Sequence, residues 1–240
     1  MENNLLELCY QSLFAHYFIK QKTMLEPKQK EKRSKRGIFS SDIGKCKGSN
    51  GVISLDLSTV DSGWAVFSAG MLVKSGHFKN NEVFKNRFRN IFHYSQKFSR
   101  MLLAEISSAG MSIRNMKVVI ENPGTFGFIY ALQAGAVLTS LLIFSLFQAG
   151  IELNNFCFIS PSSWRRRGAL ASLVLVDKNL SSSLQKKKEN GKKGYNFRRN
   201  AWKVLSLASA RKLNNEVINH NEADAINIGK FASSEENGGC

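Results

Sequence analysis

Between Phe128 and Gly150 the chain runs FIYALQAGAVLTSLLIFSLFQAG, 23 residues without a charge. A stretch this apolar has to be covered on nearly every side, either by lipid or by the other layers of a folded domain. It is longer than the ~20 residues that cross a bilayer. Three features favour the layered domain. Gln133, Thr139, Ser140, Ser145 and Gln148 interrupt it, neither immediate flank carries Lys or Arg, and it would be a solitary span within a soluble pattern. The expectation is a buried helix over 128–149 and no membrane partner.

The surroundings of that segment supply the layers. Val52 to Leu57 is a short apolar run bounded by Gly51 and Ser58, followed by Gly63 and Trp64 to Phe67. A turn at Ala69-Gly70 leads to Met71-Leu72-Val73, and Gly76 precedes Phe78. Three short strands joined by tight turns predict an antiparallel meander. Phe84, Phe88, Ile91, Phe98, Leu102 and Ile106 then recur at helical spacing up to Gly110. Val118 to Ile120 reads as a buried strand ended by Pro123-Gly124, and Phe156 to Ile159 as a fifth strand closed by Pro161. A helical region from Arg198 to about Asn214 leads through Asn219-His220-Asn221 into a last helix from Glu222 to about Phe231. This order predicts an α/β fold with a mixed five-stranded sheet, the three-strand meander plus two parallel strands, and helices on both faces.

Charge divides the chain further. The formal net charge is +16, from 34 Lys and Arg against 18 Asp and Glu. Lys20 to Arg36 carries eight basic and two acidic residues, and Arg165 to Arg199 carries eleven and two. Those segments hold +6 and +9, which leaves +1 for everything else. Two basic stretches on a nearly neutral body suit a polyanionic partner. The domain division expected is an N-terminal extension with a basic linker over 1–48, a folded domain over 49–232 with a basic loop at 165–200, and a frayed tail at 233–240. Cys9, Cys46, Cys157 and Cys240 are too scattered for a zinc knuckle or a redox pair, and the N-terminus lacks a signal-peptide pattern. A reducing cytoplasmic compartment follows, nucleoid-associated or in a host cell.

Three acids stand where a solvated charge would not be placed. Asp56 lies inside Val-Ile-Ser-Leu-Asp-Leu, Glu121 directly follows Val118-Val119-Ile120, and Asp224 is embedded in Ala223-Asp224-Ala225-Ile226. A carboxylate at the end of a buried strand is costly unless a cation or several donors stabilise it. Each has a plainer reading: a turn former, a strand boundary, or, for Glu222 and Asp224, first-turn acids behind an Asn221 cap. Taken together they suggest a shared divalent ion. Hard oxygen ligands favour Mg²⁺, with Mn²⁺ a substitute, over Zn²⁺.

Ile53-Ser54-Leu55-Asp56 with Ser62-Gly63-Trp64-Ala65, then Val119-Ile120-Glu121-Asn122-Pro123, then Glu222-Ala223-Asp224-Ala225-Ile226, resembles the RuvC family of Holliday-junction resolvases, which have the RNase H-like fold. The likeness covers about residues 50 to 232. It extends to Gln133-Ala134-Gly135-Ala136, to Gly150-Ile151 and to Ile159-Ser160-Pro161-Ser162-Ser163-Trp164, and the tails suit a phage or mobile-element branch. The resemblance implies a magnesium-dependent endonuclease that cleaves branched DNA to 5′-phosphate and 3′-hydroxyl ends. Asp56, Glu121 and Asp224 would hold one or two ions and, with Glu222, form the catalytic set. It also implies a homodimer, for which helix 128–149 is one candidate interface and core packing that helix's other role.

One position departs from the family, which has a second acid or a histidine three residues before the last aspartate. Here Asn221 stands there. Residues three or four apart share a helix face, so Asn221 or His220 would join Asp224, whereas Glu222 would point elsewhere except in an irregular first turn. All three stay open at this level. Arg165, Arg166 and Arg167, with Lys186, Lys187, Lys188, Lys192 and Lys193, are the expected contacts to DNA phosphates. A module that binds DNA without cutting it, and a nuclease of the same fold acting on another branched or guided nucleic acid, are the remaining readings. An actin-like phosphotransferase needs a second half that about 180 residues of core cannot hold.

Overall fold

A computed structural model describes residues 51–81, 86–122, 129–167 and 194–236, all within the second of two compact units, residues 41–240. The expected extension at 1–48, the centre of the basic loop and the last four residues lie outside the described residues. The strands are β1 (Gly51–Asp56), β2 (Asp61–Ser68), β3 (Met71–Lys79), β4 (Met116–Glu121) and β5 (Phe156–Ile159). The helices are α1 (Arg87–Ser108), α2 (Ile129–Gln148), α3 (Pro161–Arg167), α4 (Gly194–Ala210) and α5 (His220–Glu236).

The strands form one sheet in the order β3-β2-β1-β4-β5. The first three pair antiparallel, while β4 runs parallel to β1 and β5 parallel to β4. Strand periodicity sorts their side chains between two cores. Ile53, Leu55, Trp64, Val66, Val118 and Ile120 face α1 and α2, meeting Phe98, Leu102, Leu142 and Leu146. Val52, Phe67, Val119 and Ile159 face the opposite way and pack with Trp164 of α3, Leu205 of α4, and Ile226 and Phe231 of α5. The mixed sheet with two covered faces is the architecture its sequence predicts.

The long apolar segment is α2, and Leu138, Leu142 and Leu146 along it are fully buried. Among the described residues, no helix is long and apolar enough to cross a membrane. Helix boundaries shift from their expected places for local reasons. The first helix starts at Arg87 because Asn86 Oδ1 accepts the backbone N–H groups of Phe88 and Arg89 at 3.0 and 3.1 Å. Phe88, read from its spacing as a core residue, is 58% exposed. It lies in the first turn, where the helix has just begun. The cap of α5 is Asn219, not Asn221: its Oδ1 accepts from the N–H of Asn221 at 2.8 Å and of Glu222 at 3.3 Å. That helix continues to Glu236 with Ser233 buried, so the tail expected to fray from 233 begins as helix. Both ends of the expected 165–200 loop are likewise helical, as parts of α3 and α4.

α5 lies unusually close to the sheet. Gly63 pairs with Asp56 across the β1–β2 ladder, and a Cβ there would overlap the Asn221 carbonyl at the start of α5. Farther along, Gly229 rests on the Phe67 ring and Ser54 Oγ, and Ser54 Oγ donates to the Ala225 carbonyl at 2.7 Å. The helix that carries Asp224 can approach β1 only because both positions lack side chains. Gly63→Ala is therefore expected to push the helix start outward at a cost on the order of 3 kcal/mol, since the obstructing atoms are backbone. Chemical denaturation in chelator should record that loss, together with weaker divalent-ion binding in isothermal titration.

Candidate metal centre

Alternation along the strands decides where the first two acids point. On β1, Asp56 shares a face with Val52 and Ser54, the side against which α5 packs. On β4, Glu121 shares that face with Val119. The parallel register sets Leu55 beside Ile120, so Asp56 and Glu121 end neighbouring strands side by side. α5 crosses their mouth and adds Asp224. One carboxylate oxygen from each of the three lies within 4.8 Å of the others. The site opens beyond the carboxyl ends of β1 and β4, where ligands gather in open α/β sheets.

The supports of these acids come from several elements. After Asp56 the chain turns, and Ser62 Oγ ties that turn by donating to the Ser58 carbonyl at 2.9 Å and accepting its N–H at 3.1 Å. The Tyr94 hydroxyl of α1, buried and with its pKa pushed up to about 12 by that burial, lies 2.8 Å from Ser62 Oγ and 2.7 Å from the Phe78 carbonyl. Asp61, at the far end of the turn, accepts from Asn219 Nδ2 at 2.8 Å, and its carbonyl accepts from Asn221 Nδ2 at 2.8 Å. Those two bonds join the Asp56 turn to the first turn of the Asp224 helix. Ser206 of α4 donates to Asp224 Oδ1, and Asn227 Nδ2 holds Ser206 Oγ from the other side at 2.9 Å.

Three negative charges in so small a volume are electrostatically unfavourable. Burial, then the charges of Glu121 and Asp224, push the Asp56 carboxyl well above the usual carboxylate range. Burial raises Glu121 to about 7, against the opposing pull of Arg165. Asp224 is raised by burial and held back by the Ser206 bond, Arg165, His220 and Lys203. Arg165 answers part of the charge directly: its Nη2 sits 3.4 Å from Glu121 Oε1 and 3.9 Å from Asp224 Oδ2. Its guanidinium also lies 4.8 Å from the ring of Trp164, which is buried beneath it.

The structure separates the candidates that helix spacing left open. Glu222, expected in the catalytic set, lies outside the cluster of the three acids. Two residues from Asp224, it points to another side of α5 and accepts from Ser75 Oγ of β3 at 2.8 Å. Asn221 faces Asp61 rather than the acids. His220, one turn before Asp224, is the candidate whose charge acts on Asp224, and its Nδ1 is buried without a hydrogen bond. Among the expected DNA contacts, Arg165 is turned onto the carboxylates. The side chains of Arg166 and Arg167, and all of Lys186, Lys187, Lys188, Lys192 and Lys193, lie outside the described residues. Sequence reading missed Ser206, Asn219 and Asp61. Ser206 sits in an ordinary run of small and apolar residues, while Asn219 carried the weak signal of a cap one turn upstream of Asp224.

No family model matches the sequence, and neither does any curated protein. Solved structures do match the fold. Thermus thermophilus RuvC in complex with a Holliday junction substrate superposes with a TM-score of 0.52 at 11% identity, over 79% of this chain and 97% of that one. Another Thermus thermophilus RuvC structure gives a TM-score of 0.51 at 12% identity, over 78% and 96%. At that identity the likeness speaks for the architecture alone, and the architecture is clear: this chain has a RuvC-like fold, an RNase H-like α/β domain built on a mixed five-stranded sheet.

Proposed function

We propose that the protein is a magnesium-dependent endonuclease that hydrolyses phosphodiester bonds in branched DNA, with the four-way junction as its substrate. The observation that carries this reading is the convergence of Asp56, Glu121 and Asp224 to within 4.8 Å at the strand ends. Three hard oxygen donors, each crowded by like charge and partly screened from water, form a set that fits a divalent cation such as Mg²⁺, with Mn²⁺ as a substitute. When bound, the ion supplies Lewis-acid activation of the phosphodiester and of the attacking water. The protein's own part is positional. The Tyr94–Ser62–Ser58 chain fixes the turn after Asp56, Ser206 orients Asp224, and Asp61 locks the two regions together. No side chain acts as a covalent nucleophile, and the products are a 5′-phosphate and a 3′-hydroxyl.

The basic stretch from Arg165 to Arg199 supports the nucleic-acid partner, since phosphate neutralisation gives salt-sensitive affinity without sequence information. A junction has two strands to cut, so the proposal extends to a homodimer. Phe144 and Phe147, 38% and 45% exposed on α2, support that helix as the contact.

A synthetic four-way junction with Mg²⁺ is expected to be cut by the wild-type chain. Asp56→Asn should lower the rate by at least about 100-fold, a loss in the range that removal of one preorganised electrostatic group causes. Cleavage of linear duplex at an equal rate would redirect the substrate assignment, and equal cleavage by both proteins would remove the enzyme assignment. The raised carboxylates give a second expectation in the absence of metal. Between pH 4.5 and about 7 the folded chain holds a proton on Glu121 that the unfolded chain has released. Stability contributed by this group is therefore full at low pH and lost as pH rises through about 7. Melting in chelator should show the wild type losing ground to Glu121→Gln as pH climbs through that window, and saturating Mg²⁺ should reverse the trend.

A further inference from the structure

Arg165 occupies a peculiar place for a residue expected to grip DNA. It follows Trp164, which is 1% exposed and anchors α3 in the core, so the root of the side chain is fixed. From there the guanidinium reaches over the acids, and its side chain remains 31% exposed. Yet the contacts are long. Strong bidentate pairing of Arg with a carboxylate brings nitrogen and oxygen to about 2.7 to 2.9 Å, whereas here the separations are 3.4 Å to Glu121 and 3.9 Å to Asp224. The arginine thus spans two of the three candidate ligands without locking onto either. A single guanidinium also leaves the three carboxylates under-neutralised when ionised, and its bulk stands against the oxygens that an ion would need at about 2.0 to 2.1 Å. Like charges so close in a partly buried site repel strongly, so the guanidinium and a divalent ion compete for the same oxygens. Its half-open surroundings give it a way out toward solvent.

We propose that Arg165 is the resident counter-cation of the acid site, displaced from Glu121 and Asp224 when a divalent ion enters, so that this side chain sets the site's affinity for metal. The inference rests on the metal-dependent reading above and adds a competitor to it. Loading becomes an exchange of one cation for another: the ion takes the carboxylate oxygens and the guanidinium turns outward to solvent, to which its side chain is already 31% exposed. Arg165 acts here as a positioning residue, through the carboxylates it screens.

Titration of the full chain with MnCl₂, followed by calorimetry, tests the exchange without reference to activity. Arg165→Gln, which keeps polarity and approximate length but not charge, is expected to bind Mn²⁺ about tenfold more tightly than wild type, a change of one pairwise charge interaction at the protein surface. Arg165→Lys should stay within about twofold of wild type, because the competing charge remains. Asp56→Asn should bind weakly or not at all. Equal or weaker binding by Arg165→Gln, with Asp56→Asn still deficient, overturns the role of Arg165 and leaves the metal site standing. Absence of binding in wild type and Arg165→Gln alike overturns both. A second measurement covers the case in which the glutamine variant fails to fold. The Nε–H cross-peak of Arg165 in a nitrogen-15 NMR spectrum, assigned by its absence from Arg165→Lys, should move on saturation with Mg²⁺, and a peak that stays in place while Mg²⁺ binds refutes displacement.

Discussion

Mutual repulsion of three half-buried carboxylates is the constraint around which this domain is organised. Like charges at such separations, away from full solvation, oppose the fold that assembles them. The protein meets that opposition in stages. It shifts the acids toward their protonated forms, lends them the Ser206 hydroxyl and brings the Arg165 guanidinium alongside. None of these neutralises the site fully. A cluster held together at such cost, with donors of one chemical type and an incomplete counter-charge, is poised for a cation of higher charge.

The rest of the architecture can be understood as the means of forcing that convergence. Period-2 alternation turns Asp56 and Glu121 to the same side of the sheet, and parallel pairing sets them at the same level. A hydrophobic core on the opposite face, from Ile53 and Leu55 through Phe98, Leu102 and Leu142, supplies the burial that keeps β1 and β4 rigid. α5 must then come near enough for an aspartate, a short side chain, to reach the strand ends. Gly63 and Gly229 remove the obstacles, and Ala223, Ala225 and Ala232 keep the buried side of the helix thin. The Asp61–Asn219–Asn221 bonds prevent the helix start from sliding.

How much of this was legible in the amino-acid order follows from the range of each interaction. The sheet was legible because alternation and turn residues act within a few positions: the meander, the two later strands and the long apolar helix stand where Val52 to Phe78, Val118, Phe156 and the 128–149 segment place them. The triad was legible because an acid at the end of an apolar run is visible as an anomaly. Helix ends were less so. Asn219, two residues upstream, displaced Asn221 as the α5 cap, and that helix runs to Glu236, beyond position 233 where fraying was expected to begin. Hidden altogether were pairings between distant segments. Nothing in the run around Ser206 announces that its hydroxyl meets Asp224, and nothing in Arg165-Arg166-Arg167 distinguishes the first arginine from the others. Glu222 stands two residues from Asp224, where a regular helix turns it elsewhere, and its partner there, Ser75, is a residue of a distant strand.

That separation of Glu222 from Asp224 bears on how the site tolerates its own charge. A fourth carboxylate in the cluster would raise the repulsion further while only one guanidinium stands at its mouth. Placed instead against the Ser75 hydroxyl, Glu222 has a donor of its own and no share in the crowding. His220 takes the position one turn before Asp224, where a nitrogen base adds no negative charge and, when protonated, offsets some. The wider charge distribution follows the same logic. Nearly all of the +16 lies in two sequence segments, so the acid cluster belongs to a chain whose long-range field attracts polyanions even though the cluster itself is negative. On the proposed function, a strand of DNA drawn in by that field faces repulsion between its phosphate and the three acids. That repulsion falls as the carboxylates become neutralised, which ties the approach of a nucleic acid to the occupancy of the same few oxygens.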